Sequence, residues 1–146
     1  MPVTTPIYLD HHATTPVAPD VFEAMRPFFM ERFGNAASRT HAFGWAAASA
    51  VDAARAQVAS LIGARPAEIV FTSGATEADN LALKGAAQAF RRRGNHLVTT
   101  RIEHHAVLDC CRHLERDGLR VSYLPVDQNG LVDPDAVAAA LTPQTI

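Results

Sequence analysis

The spacing of hydrophobic positions in the first part of the chain predicts two helices. Apolar residues recur at helical spacing over 19–33. Pro27 lies inside this pattern and lacks a backbone donor, so we expect the helix to kink or restart there. A turn-like stretch, 34–38, then leads to an alanine-rich helix over 41–62, which Gly63 ends.

Beyond Gly63 the pattern changes to short apolar segments that alternate with amphipathic ones. The predicted strands are 68–72, 96–100 and 119–124, and the helices that follow them are 76–92, 105–116 and 133–141. Strict alternation predicts the α/β class, with a parallel-rich sheet flanked by helices. A further strand is expected just after Pro143, because three parallel strands alone would leave both edges exposed.

Composition narrows the function classes. The chain has 146 residues, of which 48% are hydrophobic, enough for one domain with a core. The net charge is -2 with interspersed signs, so we expect no nucleic-acid partner, and the basic run 91–93 is expected to be a solvated helix end. No apolar run is long enough to span a membrane and the start lacks signal-peptide features, which favours the cytoplasm.

The cysteines indicate a reducing compartment. Cys110 and Cys111 are adjacent on a predicted helix, which is poor geometry for a disulfide. Their surroundings are apolar and contain no obvious cationic activator. We interpret both as packing residues.

The segment TSGATEADN lies where a predicted strand gives way to a helix. Gly74 and Ala75 have little or no side chain, so backbone N–H groups there can approach a ligand closely. The unpaired amides and the positive dipole end of the helix start, together with the hydroxyls of Ser73 and Thr76, suit a phosphate group. The same residues fit a simple helix cap by Thr76, with Asp79 completing a capping box, and spacing leaves both interpretations open.

His104 follows the next predicted strand. Ligands of open α/β sheets collect outside the carboxyl ends of the strands, so we expect His104 and the turn 74–76 on the same rim. An imidazole there could stack on a planar ring and relay protons, or it could be a helix-start or packing residue.

A metal site formed by the histidines is a further alternative. His11, His12, His41, His104 and His105 could in principle meet. The chain has no His-x-x-x-His or Cys-x-x-Cys pair to fix a coordination geometry, and we therefore expect no metal.

Six stretches match one family in uninterrupted order from about residue 7 onward. They are Tyr8–Asp10, Ala13–Pro16, Phe33–Asn35, Ser38 with His41 and Gly44, Thr72–Asn80, and Glu103–His104 with Ala106–Asp109. Together they resemble the cysteine desulfurases of the class V aminotransferase family. These enzymes have fold type I and depend on pyridoxal 5'-phosphate. The resemblance implies the N-terminal part of their large cofactor-binding domain over 17–146, preceded by an extended segment, 1–16, that belongs to the small domain or the pocket mouth.

The resemblance assigns roles to the two candidate sites. Backbone and hydroxyl donors from Gly74 to Thr76 would hold the cofactor phosphate, and His104 would stack on the pyridine ring. Four further residues would lie at the pocket mouth or near the dimer interface: Ala13, Thr14, Asn35 and His41.

The family's covalently binding lysine, its aspartate partner to the pyridine nitrogen, its substrate-binding arginine and its nucleophilic cysteine all belong beyond residue 146. We therefore expect that this chain alone does not turn over cysteine. The only lysine is Lys84, which should lie about 12 Å from the phosphate turn, exposed on a helix that points away from the pocket.

For a complete enzyme, the resemblance implies conversion of L-cysteine to L-alanine, with the sulfur left on the enzyme as a persulfide. A sulfur-acceptor or scaffold protein would receive it for iron–sulfur cluster or thio-cofactor assembly, and the enzyme would be a homodimer. Two alternatives stay open: a non-catalytic binding or assembly module completed by another chain, and another class V enzyme such as a selenocysteine lyase.

Overall fold

A computed structural model describes residues 6–146. Contacts divide the chain into two units, and the boundary in the sequence falls after Val70. In chain order the elements are α1 (Pro19–Met30), α2 (Ala42–Ile62), a 3-10 helix (Pro66–Glu68), α3 (Ala75–Ala89), β1 (His96–Thr100), α4 (His105–Arg116), β2 (Arg120–Leu124) and α5 (Pro134–Ala140).

Both predicted helices of the first unit form. Helix α1 begins with Pro19, where the missing N–H is harmless, and it ends at Met30, three residues earlier than expected. It does not restart at Pro27, which lies inside the single helix. Helix α2 ends as predicted at Gly63, whose φ of 69° is a left-handed conformation that favours glycine.

The second unit is built on a parallel pair of strands. β1 and β2 pair in register from His96 opposite Arg120 to Thr100 opposite Leu124. On the other edge of β1, a parallel bridge joins His96 to Thr145. The chain after Pro143 therefore lies beside β1, where a further strand was expected. Helices α3 and α4 pack together, and the core contains Ala87, Leu97, Cys110 and Leu114.

The predicted strand over 68–72 is wrong. Glu68 belongs to the 3-10 helix, because its carboxylate accepts hydrogen bonds from the N–H of Arg65 at 2.8 Å and from the Arg65 guanidinium at 2.9 Å. Residues 69–72 are not part of a strand. The apolar run suggested a buried strand, but a short apolar run does not specify a neighbouring strand to pair with. In the structure even Val70 in this run is exposed.

The remaining boundaries are close to those predicted. Helix α3 covers 75–89 rather than 76–92, and the basic run that follows it is exposed as expected. Helix α5 begins after Asp133, whose carboxylate accepts a hydrogen bond from the N–H of Asp135 at 2.9 Å. No helix between residues 6 and 146 has the length and apolar character needed to cross a bilayer.

Candidate functional site

The turn before α3 has open space beside Gly74 and is followed by backbone donors that have no intrahelical acceptor. Gly74 occupies the N-cap position in an extended conformation, and a Cβ built on it would meet no atom of the described chain within 4 Å. Ala78 is the first residue whose N–H bonds back to the turn, at 3.1 Å from the Gly74 carbonyl. The N–H groups of residues 75–77 precede it and have no intrahelical acceptor. They are the kind of donor that holds a phosphate.

The capping box considered for this turn is wrong. Thr76 is the second residue of α3, and no side chain caps the helix at Gly74. Instead, the carboxylate of Glu77 accepts hydrogen bonds from the N–H of Ser73 at 2.6 Å and from the Ser73 hydroxyl at 2.7 Å. The bond from the Ser73 N–H, and to a smaller extent the bond from the Ser73 hydroxyl, lower the pKa of Glu77. Thr76 is thus not needed as a cap.

Glu77 is a residue that the sequence reasoning missed. The available signal was a serine four residues before a glutamate, one helical turn apart. The search for a capping box, with its spacing of three, selected Asp79 instead. Two more side chains hold this turn: Thr72 Oγ1 donates to the Gly74 carbonyl at 3.2 Å, and Asn80 Nδ2 donates to the Thr76 carbonyl at 2.9 Å.

His104 starts the second helix of the site. It is the N-cap of α4, and its Nδ1 accepts a hydrogen bond from the N–H of Ala106 at 3.1 Å. In the neutral ring the proton therefore lies on Nε2. The helix-start interpretation is confirmed, and it leaves Nε2 and the ring faces of this exposed side chain for other contacts. The His105 ring lies edge-on, 6.2 Å away between centroids.

The two predicted sites line one hollow. Its walls come from α3 and α4, its volume is about 440 Å³, and Thr76 and His104 both line it. Gly74 and Ala75 immediately precede Thr76 at the start of α3. The structure therefore brings Thr76 and His104 together, whereas Gly74 and Ala75 are not among the residues that line the hollow, and the roles of all four stay predictions.

Lys84 is exposed, as predicted, and it lines the same hollow as Thr76 and His104, which the sequence did not indicate. The reason is helical spacing: Thr76, Asn80 and Lys84 lie four residues apart on the face of α3 that borders the hollow. Thr76 and Lys84 are nevertheless separated by about 12 Å along the helix axis.

The two thiols are buried packing groups, as predicted. Cys110 is 3% exposed and Cys111 is 1% exposed, and both are free. Burial raises the pKa of both thiols, although the Lys84 charge partly opposes this at Cys110. Such thiols are poor nucleophiles near neutral pH.

The residues predicted at the pocket mouth belong to the first unit: Ala13, Thr14, Asn35 and His41. Each takes part in local structure. Asn35 Oδ1 accepts from the N–H of Ala37 at 2.9 Å, and His41 Nδ1 accepts from the N–H of Gly44 at 3.2 Å. The N–H groups of Ala13 and Thr14 donate to the Asp10 carbonyl at 3.1 and 3.5 Å. Their placement at a pocket mouth stays a prediction. Across residues 6–146, no three His, Cys, Asp or Glu side chains group in a way that could hold a metal ion.

Comparison with known proteins decides the family. A sequence profile described as aminotransferase class-V matches residues 7–146. The chain belongs to the class-V aminotransferase family.

Two curated relatives of this class-V chain are named cysteine desulfurase IscS. The Anaeromyxobacter sp. (strain K) protein is 59% identical over 141 residues, 97% of this chain and 35% of the relative. The Rickettsia massiliae (strain Mtu5) protein is 52% identical over 144 residues, 99% of this chain and 35% of the relative. The chain thus spans about a third of their length.

Solved structures confirm the predicted fold type I architecture of this class-V chain. A NifS-like protein superposes with a TM-score of 0.87 at 39% identity, covering 96% of this chain and 38% of that one. A structure described as SspA in complex with cysteine gives a TM-score of 0.84 at 41% identity, covering 95% and 40%.

Proposed function

We propose that this chain provides the phosphate-binding and ring-stacking part of a cysteine desulfurase dependent on pyridoxal 5'-phosphate. The observation that carries the proposal is that Thr76 and His104 line one hollow, at the starts of α3 and α4. The class-V family membership and the names of the curated relatives support the choice of reaction.

The residues present fit the cofactor. A phosphate needs several donors, the N–H groups at the start of α3 have no intrahelical acceptor, and the space beside Gly74 is open. We assign the phosphate to Gly74, Ala75 and Thr76, with the Thr76 hydroxyl as a further donor. His104 would hold the pyridine ring by stacking, because its N-cap hydrogen bond fixes Nδ1 and leaves the ring faces exposed.

Bound pyridoxal phosphate supplies an electron sink for breaking bonds of an amino acid attached to it. The chain's own contribution is binding and orientation. The turn 74–76 anchors the phosphate end, and the His104 ring fixes the plane of the pyridine. Nε2 of His104 carries a proton in the neutral ring and is the atom that would donate or return one near the reacting groups.

The activity of the complete protein is part of the same proposal. We propose that it converts L-cysteine to L-alanine and passes the sulfur through an enzyme persulfide to an acceptor or scaffold protein, for iron–sulfur cluster or thio-cofactor assembly. We also propose a cytoplasmic homodimer. The one lysine, Lys84, lies about two helical turns from Thr76, so residues 1–146 alone are expected not to release sulfide from cysteine.

The test is binding of pyridoxal phosphate to this chain by equilibrium dialysis, with pyridoxal as the comparison ligand. Lys84→Arg is the background for every measurement, because it removes the lysine that could form an imine with free aldehyde. The phosphate ester should bind more tightly than pyridoxal by roughly tenfold or more, as expected for charge-assisted hydrogen bonds.

Thr76→Val should reduce that preference roughly tenfold by removing the hydroxyl donor at nearly constant shape. Thr99→Val, a similar change on a residue of β1 outside the hollow around Thr76, is the matched control and should leave it unchanged. Equal affinity for pyridoxal phosphate and pyridoxal would overturn the proposal.

A further inference from the structure

We propose that Glu77 is a positioning residue for the phosphate-binding turn, which rests on the proposed function above. Its carboxylate holds both donors of Ser73, the N–H at 2.6 Å and the hydroxyl at 2.7 Å. Ser73 directly precedes Gly74, so this clamp fixes the backbone from which the first helical amides project. Glu77 itself does not need to touch the ligand.

The clamp acts on the turn through one side chain oxygen. Both hydrogen bonds end on Oε2, and they join residues four apart in the chain. With the Ser73 donors occupied, the groups left for an anion at this helix start are the N–H groups of residues 74–77 and the Thr76 hydroxyl. A turn held in advance in this way loses less conformational entropy when a ligand binds.

The charge of Glu77 opposes phosphate binding, whereas its hydrogen bonds to Ser73 favour it. A carboxylate in the first helical turn is favourable beside the helix dipole, but it repels a phosphate bound at the same helix start. The bonds from Ser73 lower the pKa of Glu77, so the group stays ionised near neutral pH. Positioning and repulsion can therefore be separated by substitutions that remove one without the other.

Two substitutions make that separation. Glu77→Gln keeps a carbonyl oxygen that can accept from Ser73 and removes the charge, so pyridoxal phosphate should bind as tightly as to the parent chain, or roughly two- to fivefold more tightly. Glu77→Ala removes the acceptor as well, and binding should weaken roughly two- to tenfold. Pyridoxal, which has no phosphate, should bind all variants equally.

The experiment is equilibrium dialysis of Lys84→Arg chains with pyridoxal phosphate, pyridoxal and inorganic phosphate. Asp79→Ala is the matched control, because it removes an acid from the same turn of α3 without touching the Ser73 clamp. Ser73→Ala removes only the hydroxyl bond and should weaken phosphate-dependent binding by a smaller factor than Glu77→Ala. If Glu77→Ala does not fold, Ser73→Ala tests the positioning role in its place.

The outcomes separate this inference from the proposed function. No preference for pyridoxal phosphate in the parent chain overturns the proposed function. A parent preference that Glu77→Ala and Ser73→Ala leave intact overturns the positioning role alone. A Glu77→Gln chain as weak as Glu77→Ala also overturns it, because the acceptor oxygen would then not be what holds the turn.

Discussion

The hydroxyl of Tyr123 on β2 donates a hydrogen bond to Oε2 of Glu115 on α4, at 3.1 Å. Burial, and then the bond and charge of Glu115, raise the pKa of Tyr123 to about 12 from an ordinary value of 10.0. The folded chain therefore holds this proton more tightly than the unfolded chain does. The resulting stabilisation is complete below pH 10 and is lost as the pH rises towards 12.

We predict that the free energy of unfolding falls between pH 10 and 12, and that Tyr123→Phe makes this fall shallower. Urea unfolding at a series of pH values measures it. The buried thiols also have a raised pKa, but they titrate in both proteins, so the difference isolates the phenol. Glu115→Gln should lower the pKa of Tyr123, read from tyrosinate absorbance. An identical pH dependence in Tyr123→Phe would contradict the prediction.

Gly94 is required by a close backbone approach. A Cβ at this position would lie 2.0 Å from the carbonyl oxygen of Gln144, which itself accepts a hydrogen bond from the N–H of His96 at 3.0 Å. Gly94→Ala should therefore displace the 144–146 segment from β1 and destabilise the chain by about 1–3 kcal/mol, measured by urea unfolding.

Gly85 is the matched control for Gly94. It lies inside α3, where a Cβ would meet no described atom within 4 Å. Gly85→Ala should stabilise the chain by about 0.5–1 kcal/mol, because alanine loses less backbone entropy in a helix. Shifts of the same sign in both variants would rule out the steric explanation.

His96 ties the strands together through its side chain. His96 is 4% exposed, its Nε2 lies 2.9 Å from Ser122 Oγ on β2, and its Nδ1 lies 2.8 Å from Thr145 Oγ1. His96→Leu should cost about 1–3 kcal/mol of unfolding free energy, because it removes the partner of the Ser122 hydroxyl and leaves Thr145 Oγ1 with only its bonds to Thr142. His12→Leu, at an exposed position, should change stability by less than about 0.5 kcal/mol.

Periodicity and end signals predicted most of the second unit. The limits of β1 and α4 were predicted to the residue, because His96–Thr100 is a short run rich in β-branched residues and α4 has a strongly one-sided apolar face. The segment 68–72 failed for a physical reason. Its hydrophobicity resembled a strand, but the Arg65–Glu68 pairing that forms the 3-10 helix involves polar side chains and gives no periodic signal.

The candidate site was likewise predicted only in part from the sequence. Thr76 and His104 were expected on one rim because each was placed after a strand, but the strand predicted before Thr76 does not form. They line one hollow because α3 and α4 pack side by side. The Ser73–Glu77 bonds are local and were missed because the search used a capping-box spacing of three rather than four. The position of Lys84 on the wall of the hollow depends on which face of α3 packs against α4. That rotation is set by tertiary contacts, which a single sequence does not specify.

The two roles of His104, capping α4 and holding a ring, can be tested separately. His104→Asn supplies an oxygen that can accept from the N–H of Ala106, so it should keep stability within about 0.5 kcal/mol of the parent chain. His104→Ala removes the cap and should cost about 0.5–2 kcal/mol, measured by thermal and urea unfolding. Both lose the imidazole, so both should bind pyridoxal phosphate and pyridoxal more weakly by a similar factor. Full binding by His104→Asn would show that the cap, and not the ring, is what the site requires.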